Sequence, residues 1–232
     1  MELRRIAIPA LLVAAITTAP ASASAASLAS VSVKEPGTDP LADSEAATRV
    51  NETSWEPVRA NAQENRRRPT EDQIDEFRRR SEMINRHRVT GRYRGTTDEI
   101  LQWAARKWGF DPDLFRAVAY VESRWRMSAV GDGGLSFGIF QMKRTYHCCV
   151  PLSSKYTAFN ADYYGGILRA YYDGRQTWLN DVERGERYGA GDIWGSVGSW
   201  YAGRWRTREA MGYIHLVQRT LKDEPWRERG GL

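Results

Sequence analysis

The stretch AVAYVESRWRMSAVGDGGLSFGIFQM, Ala117 to Met142, decides how the rest of the chain is read. An apolar helical run reaches one carboxylate, Glu122, with Ser123 beside it, and then breaks into the glycine-rich turn Gly131-Asp132-Gly133-Gly134. The chain re-enters an apolar segment at Ser136-Phe137-Gly138-Ile139-Phe140-Gln141-Met142. A carboxylate on an apolar face is hard to ionise, because burial disfavours the charged form and lifts the pKa. That is the protonation state a general acid needs near neutral pH. The negative end of the helix dipole pushes the same way, by roughly 0.3 to 1 kcal/mol. Most glutamates near a helix end are nevertheless solvated surface residues, so position alone does not make Glu122 catalytic.

The flanking sequence predicts helices. Thr97 reads as an N-cap with Asp98 and Glu99 in the first turn, and Ile100, Leu101, Ala104 and Trp108 recur at helical spacing until Gly109 stops the run. Asp111-Pro112 restarts a helix, since proline fits the first turn. Leu114, Phe115, Val118 and Val121 or Glu122 fall three or four apart, so the side carrying Glu122 faces largely inward. Downstream, Asn160 is expected to cap a helix through Asp162 to Tyr172, ended at Asp173-Gly174. A shorter helix covers Thr177 to Glu183, and Gly185 to Gly191 reads as a loop. Asp192 caps a glycine-loosened helix from Ile193 to Tyr201. The last helix spans Thr207 to Leu221, with Ala210, Met211, Ile214, Val217 and Leu221 on one side. No segment alternates over several residues, so strands are confined to a small hairpin near Met127 to Phe137. The expectation is a mainly α fold: one helical domain over residues 96–226 with a small hairpin or loop lobe, and a short tail over 227–232.

The first 95 residues set compartment and partners. Arg4-Arg5 precede the apolar run Ile6 to Ile16, and Ala21-Ser22-Ala23 and Ala23-Ser24-Ala25 offer small-residue cleavage sites, so residues 1–26 read as a secretory signal peptide. The run is too short for a stable membrane span, which needs about 20 apolar residues. Residues 27–95 are predicted to be a linker and charged segment. Ser27 to Asn65, with few large apolar residues and no period, reads as disordered. Ten arginines lie between Arg66 and Arg94, and Thr70 can cap an isolated charged helix from Glu71 to Arg86. A net charge of +5 favours an anionic partner. Outside the cell that points to acidic wall polymers, bound through the arginine-rich segment, rather than to nucleic acid. The alternative is a solvated helix with no ligand.

Cys148 and Cys149 are neighbours. Disulfide geometry wants Cα atoms ~4.4 to 6.8 Å apart, and adjacent Cα atoms sit ~3.8 Å apart, so an intrachain bond would be a strained ring. Two free thiols are expected, with intermolecular pairing as the alternative. His87, His147 and His215 do not cluster at metal-ligand spacing or beside a nucleophile, so neither a metal nor a triad is proposed. Most of the nine tryptophans should be core. Trp125, Trp200 and Trp205 flank the expected cleft.

Glu122-Ser123, a glycine-rich turn and then Gly138-Ile139-Phe140-Gln141 resemble the signature of the lysozyme-like transglycosylase (SLT) superfamily, in which E-S is followed by G-L-M-Q. Within it, Gly131 to His147 is most similar to goose-type lysozymes, with counterparts for Gly131-Asp132, Phe137-Gly138, Gln141 and Tyr146-His147. The resemblance covers about Thr97 to Leu221 and is strongest over Val118 to His147. It implies a lysozyme-like fold and a secreted, monomeric enzyme without cofactor or metal. That enzyme would cut the β-1,4 bond between N-acetylmuramic acid and N-acetylglucosamine in peptidoglycan, with Glu122 as general acid.

The resemblance also assigns the remaining candidates. Asp132 matches an aspartate that helps position water, although beside glycine it reads equally as a turn residue. A further acidic position is occupied by Lys143, which weakens a hydrolysis with a separate base. A transglycosylase needs one carboxylate only: it protonates the bond, then draws the proton from the muramic C6 hydroxyl as an anhydro ring closes. Ser136 and Gln141 would hold the loop and the acid by hydrogen bonds, and Gly138 would let backbone approach the sugar. Ser199-Trp200-Tyr201-Ala202-Gly203-Arg204 resembles the family's A-Y-N-A-G element, placing Tyr201 over the cleft, with Ala202 in place of the asparagine and Arg204 in place of the final glycine. Tyr213 resembles the late tyrosine of the family's closing helix, with packing as its other reading. The alternatives to a transglycosylase are a goose-type hydrolase and a non-catalytic wall-binding protein.

Overall fold

The computed structural model describes residues 30–228 and Leu232, so the predicted signal peptide of residues 1–26 lies outside the described residues. The chain first forms α1 (Asp43–Ala47), a 3-10 turn at Arg59–Asn61, α2 (Ala62–Arg66) and α3 (Glu71–Arg80). The disordered linker expected up to Asn65 is not found, because residues 30–65 satisfy polar groups that the helical domain leaves open. Val33 bridges Phe110, and the N–H groups of Lys34 and Leu41 donate to Gly109 O and Lys107 O at 2.8 and 2.9 Å. Asn61 is a buried anchor: its Nδ2 donates to Thr97 Oγ1 and Trp125 O, and its Oδ1 accepts from Met127 N. Composition counts apolar residues and misses this kind of order.

The start of α3 follows the sequence reading, with Thr70 and Gln73 forming a reciprocal capping box. The helix is shorter than expected and is not isolated. Ile74 and Phe77 are fully buried, and Phe77 meets Phe159 and Tyr163 edge-to-face at 5.1 and 5.0 Å. Its arginines lie on the outer side, where Arg78 pairs with Asp75 and both Arg79 and Arg80 pair with Glu76. Exposed pairs of this kind contribute about 1 kcal/mol at most.

Next come α4 (Thr97–Trp108) and α5 (Pro112–Ser123). Thr96, not Thr97, caps α4 in a box with Glu99, because the Thr97 hydroxyl is engaged with Glu56, Asn61 and Asn65. Gly109 at φ 76° ends α4, and Asp111 Oδ1 accepts from Asp113 N to open α5. Strands β1 (Val130–Gly131), β2 (Ser136–Phe137) and β3 (Met142–Lys143) form a small antiparallel sheet in that order, with Val130 opposite Phe137 and Ser136 opposite Lys143. The third strand extends the expected hairpin. A short α6 (Val150–Lys155), which no sequence signal marked, leads into α7 (Thr157–Tyr172). A 3-10 turn at Thr177–Asn180, α8 (Ile193–Ala202) capped by Asp192, and α9 (Arg208–Asp223) capped by Thr207 complete the chain's main elements. The described residues are thus mainly helical with one small sheet, and no helix among them is long and apolar enough to cross a membrane.

Buried along its whole length, α7 packs against α4, α6 and α8, while α9 packs on α5 and α8. Two polar residues on α7 hold the architecture. Asn160, expected as a cap, sits inside the helix. Its Oδ1 accepts from Phe140 N at 2.9 Å, and its Nδ2 donates to Phe137 O at 3.0 Å and Ser153 O at 2.8 Å, which fixes the turn after β2. Asp162 is fully buried and accepts from Thr90 N, Gly91 N, Lys107 Nζ and Trp108 Nε1. Lys107 Nζ also reaches Asp43 at 2.7 Å, which ties α1 to the same point. Removing one partner from a buried ionic cluster strands the other charge. Asp162→Ala is therefore expected to lower unfolding free energy by about 3–5 kcal/mol in urea titration, whereas Arg79→Ala should stay within about 0.5 kcal/mol.

Candidate active site

The last turn of α5 places Glu122, and the residues after it keep that turn fixed. Arg124 and Trp125 both take left-handed backbone, at φ 50° and 59°, so the helix cannot continue. Trp125 is fully buried and donates from Nε1 to Arg116 O at 2.9 Å, holding the reversal in place. Ser123 Oγ donates to Ile139 O at 2.8 Å and so joins the helix end to the turn that Asn160 holds. The sequence marked Ser123 as the second residue of the E-S pair, with no role of its own. Its role is to register the two halves of the motif.

Glu122 points towards α8 and α9. Trp200 Nε1 donates to its Oε1 at 3.2 Å, and the Tyr213 hydroxyl donates to the same oxygen. No described residue hydrogen-bonds Oε2. Burial pushes the pKa of Glu122 up to about 7, against the two donors, which favour the carboxylate, and with a smaller upward push from the charge of Asp132. With both donors on Oε1, the proton of the neutral acid belongs on Oε2.

An aromatic shell surrounds this carboxyl. Tyr201 stacks on Tyr213 with ring centroids 4.6 Å apart and planes 3° from parallel, and Tyr201 is 61% exposed, so one face of its ring is open. His147 stacks on Trp200 at 5.6 Å. Burial lowers the His147 pKa to about 4, so the ring is neutral wherever Glu122 titrates. Tyr164 meets Trp200 edge-on at 5.1 Å from the α7 side. Sequence reading did not single out Tyr164, because an aromatic residue inside a buried helix looks like packing.

The other candidates divide. Asp132 reaches Glu122 by its charge, but its Oδ2 is held by Lys143 Nζ at 2.9 Å and by Ser136 Oγ at 2.8 Å. Those contacts keep its pKa below the usual carboxylate value, and it is ionised. The Lys143 that departs from the goose-type pattern is thus the partner of Asp132. Ser136 and Gln141 hold the loop as expected, yet neither bonds Glu122. Gln141 Nε2 donates to Ala129 O and Gly138 O. Gly138 has a packing reason of its own. Its φ is +78°, and a Cβ there would run into Asn160 Nδ2 and Ser153 O, so the missing side chain makes room for α6 and α7. Trp125 and Trp205 are core residues at 0% and 1% exposure, which leaves Trp200 as the tryptophan of the three that reaches the acid.

Cys148 and Cys149 are both free, and burial together with the Cys149 thiol pushes Cys148 up to about 12. No group of three or more His, Cys, Asp or Glu side chains among the described residues could hold a metal ion. Comparison with known protein families, curated proteins and solved structures gives no match.

A largely desolvated, half-buried acid with a raised pKa keeps a proton that the unfolded chain releases, so its ionisation destabilises the fold as pH rises from about 4.5 through about 7. The loss above that window amounts to about 3 kcal/mol. Glu122→Gln removes the ionisation while keeping the shape. It should therefore be more stable than the parent chain by up to about 3 kcal/mol at pH 8 and gain nothing from this source below pH 4.5, as read by denaturant titration at the two pH values.

Proposed function

We propose that the chain is a secreted, lysozyme-like lytic transglycosylase. It cleaves the β-1,4 bond between N-acetylmuramic acid and N-acetylglucosamine in peptidoglycan, with Glu122 as the group that gives and then takes the proton. The observation that carries the reading is the state of Glu122: a carboxyl whose pKa is raised to about 7, with two donors on one oxygen and the other oxygen without a protein partner. An acid poised near neutral pH can protonate a leaving-group oxygen and still act as a base in the next step.

The residues take the following parts. Oε2 of Glu122 delivers its proton to the bridging oxygen as the bond to C1 of the muramic ring breaks. Tyr213 and Trp200, already donating to Oε1, stabilise the carboxylate that this leaves. The carboxylate then accepts the proton of the C6 hydroxyl as that oxygen bonds to C1. The products are a free 4-hydroxyl and a 1,6-anhydro ring, with no water consumed. The exposed face of Tyr201 offers a stacking surface for a pyranose ring beside the acid. The lysozyme-like fold, export through the signal peptide and adhesion to acidic wall polymers through the arginine-rich segment belong to the same proposal.

One observation favours the hydrolase as a second reading: Asp132 is an ionised carboxylate whose charge reaches Glu122. Against it, Lys143 and Ser136 hold Asp132 Oδ2. A base that activates water needs a basicity that this pairing lowers.

Mass spectrometry of digested peptidoglycan separates the two, and the expected products are anhydro-muropeptides, each one water lighter than the hydrolytic species. Glu122→Gln should lower the rate by at least about 10²–10⁴-fold. Products that all end in a free reducing sugar would favour the hydrolase, and binding without cleavage by either protein would favour a wall-binding role. The pH profile of kcat/KM should fall on its alkaline side near pH 7, where Glu122 loses its proton.

A further inference from the structure

At the far end of α7 from Asn160 lies a cavity of about 220 Å³. It is lined by residues 37–40 of the N-terminal segment, by Arg88 of the 3-10 turn Arg86–Arg88, and by Arg169, Asp173 and Arg175 at the end of α7 and just past it. A single water takes ~30 Å³ of liquid volume, so the space is ample for a tetrahedral oxyanion.

The charges around it do not balance. Arg169 is 1% exposed, pairs with Asp173 at 2.8 Å and donates to the carbonyls of Lys34 and Glu35, while Asp173 also accepts from Gly37 N. Those two opposite charges cancel. Arg88 and Arg175 are held differently, each by a neutral acceptor. Arg88 donates to Pro40 O, and Arg175 Nη1 donates to Asn85 Oδ1 at 3.1 Å. Asn85 is itself buried and anchored, since its Nδ2 donates to Gly166 O at 3.0 Å. Neither arginine forms an ion pair among the described residues, in contrast to Arg78, Arg79 and Arg80 of α3 with Asp75 and Glu76. The opposing negative charge comes from Asp39, which is exposed and likewise forms no ion pair among the described residues, and from the carboxyl end of α7, equivalent to roughly half a charge. Two guanidinium groups outweigh them. Arg169 Nε–H, buried without an acceptor, adds to the positive potential of the wall.

We propose that this cavity is a phosphate-binding site, with the guanidinium groups of Arg88 and Arg175 as the groups that hold the ligand. Each offers N–H donors in a fixed fork. A phosphate has oxygens enough to accept from both forks, whereas a carboxylate has two oxygens and is filled by one. Free phosphate and a phosphodiester within a polymer present the same oxyanion. The site is separate from the chemistry at Glu122, so an inactive protein leaves it standing.

The test is calorimetric titration of the full chain at low ionic strength with inorganic phosphate and, in parallel, with dimethyl phosphate, using acetate as the carboxylate control. The expected result is saturable binding of at least one phosphate species with a Kd below about 1 mM. Arg88→Gln and Arg175→Gln should each weaken it by at least about tenfold, and Arg79→Gln, on the outer side of α3, should bind as the parent chain does. Tighter binding of inorganic phosphate identifies a free anion as the ligand, and tighter binding of the diester identifies a polymer; either result upholds the site. Absence of phosphate binding overturns the proposal, as does equally tight binding of acetate, or a loss in Arg79→Gln that matches the loss in Arg175→Gln. Arg175 is exposed, so Arg175→Gln decides the matter should Arg88→Gln not fold.

Discussion

Dehydration of a single carboxyl is the constraint that governs this structure around its motif. Glu122 stands in the last turn of α5, where the helix dipole and the surrounding rings both oppose its negative charge. Isolated in such a place, a carboxylate would be intolerable and a neutral acid inert. The balance is set by two donors, Trp200 and Tyr213, on helices far along the chain. They keep the ionised form within reach of neutral pH without making it the resting state.

That balance depends on how α5, α8 and α9 are held, and much of the fold serves this. The left-handed residues Arg124 and Trp125, two and three positions past the acid, end α5 within a turn of it. Ser123 and Asn160 pin the loop of Gly138 to Phe140 from two sides. Gly138 lets that loop lie against α6 and α7 with no side chain between. The N-terminal segment takes part as well, since Asn61 binds the backbone of Trp125 and Met127 on the far side of the reversal. A region that looks like a tether is thus a brace for the turn that carries the acid.

What could be read from the sequence follows from which interactions are local. Helix starts at Thr70, Asp111, Asp192 and Thr207 were legible because capping is decided within four residues. The inward-facing side of α5 that carries Glu122 was legible from helical spacing, but its reading as an acid rested on the family resemblance. Tyr213 entered only through the family resemblance, and Tyr201 with it. Illegible were the contacts that span the chain: Asp162 gathering donors from residues 90, 91, 107 and 108, or Asn160 facing the loop rather than capping a helix. The order of residues 30–65 was missed for the same reason. It arises from partners more than thirty residues away, as in the Asn61 contacts, whereas low hydrophobicity is a property of the segment alone.

The central claim is that the free oxygen of Glu122 is where a glycan's bridging oxygen rests before cleavage. The most direct measurement is an experimental structure of the Glu122→Gln protein with an oligosaccharide of alternating N-acetylglucosamine and N-acetylmuramic acid. The expected result is a sugar chain crossing the end of α5, its glycosidic oxygen within hydrogen-bond distance of the side-chain atom that Trp200 and Tyr213 do not hold, and a ring against Tyr201. An oligosaccharide bound elsewhere, with residue 122 still sealed from it, would contradict the account.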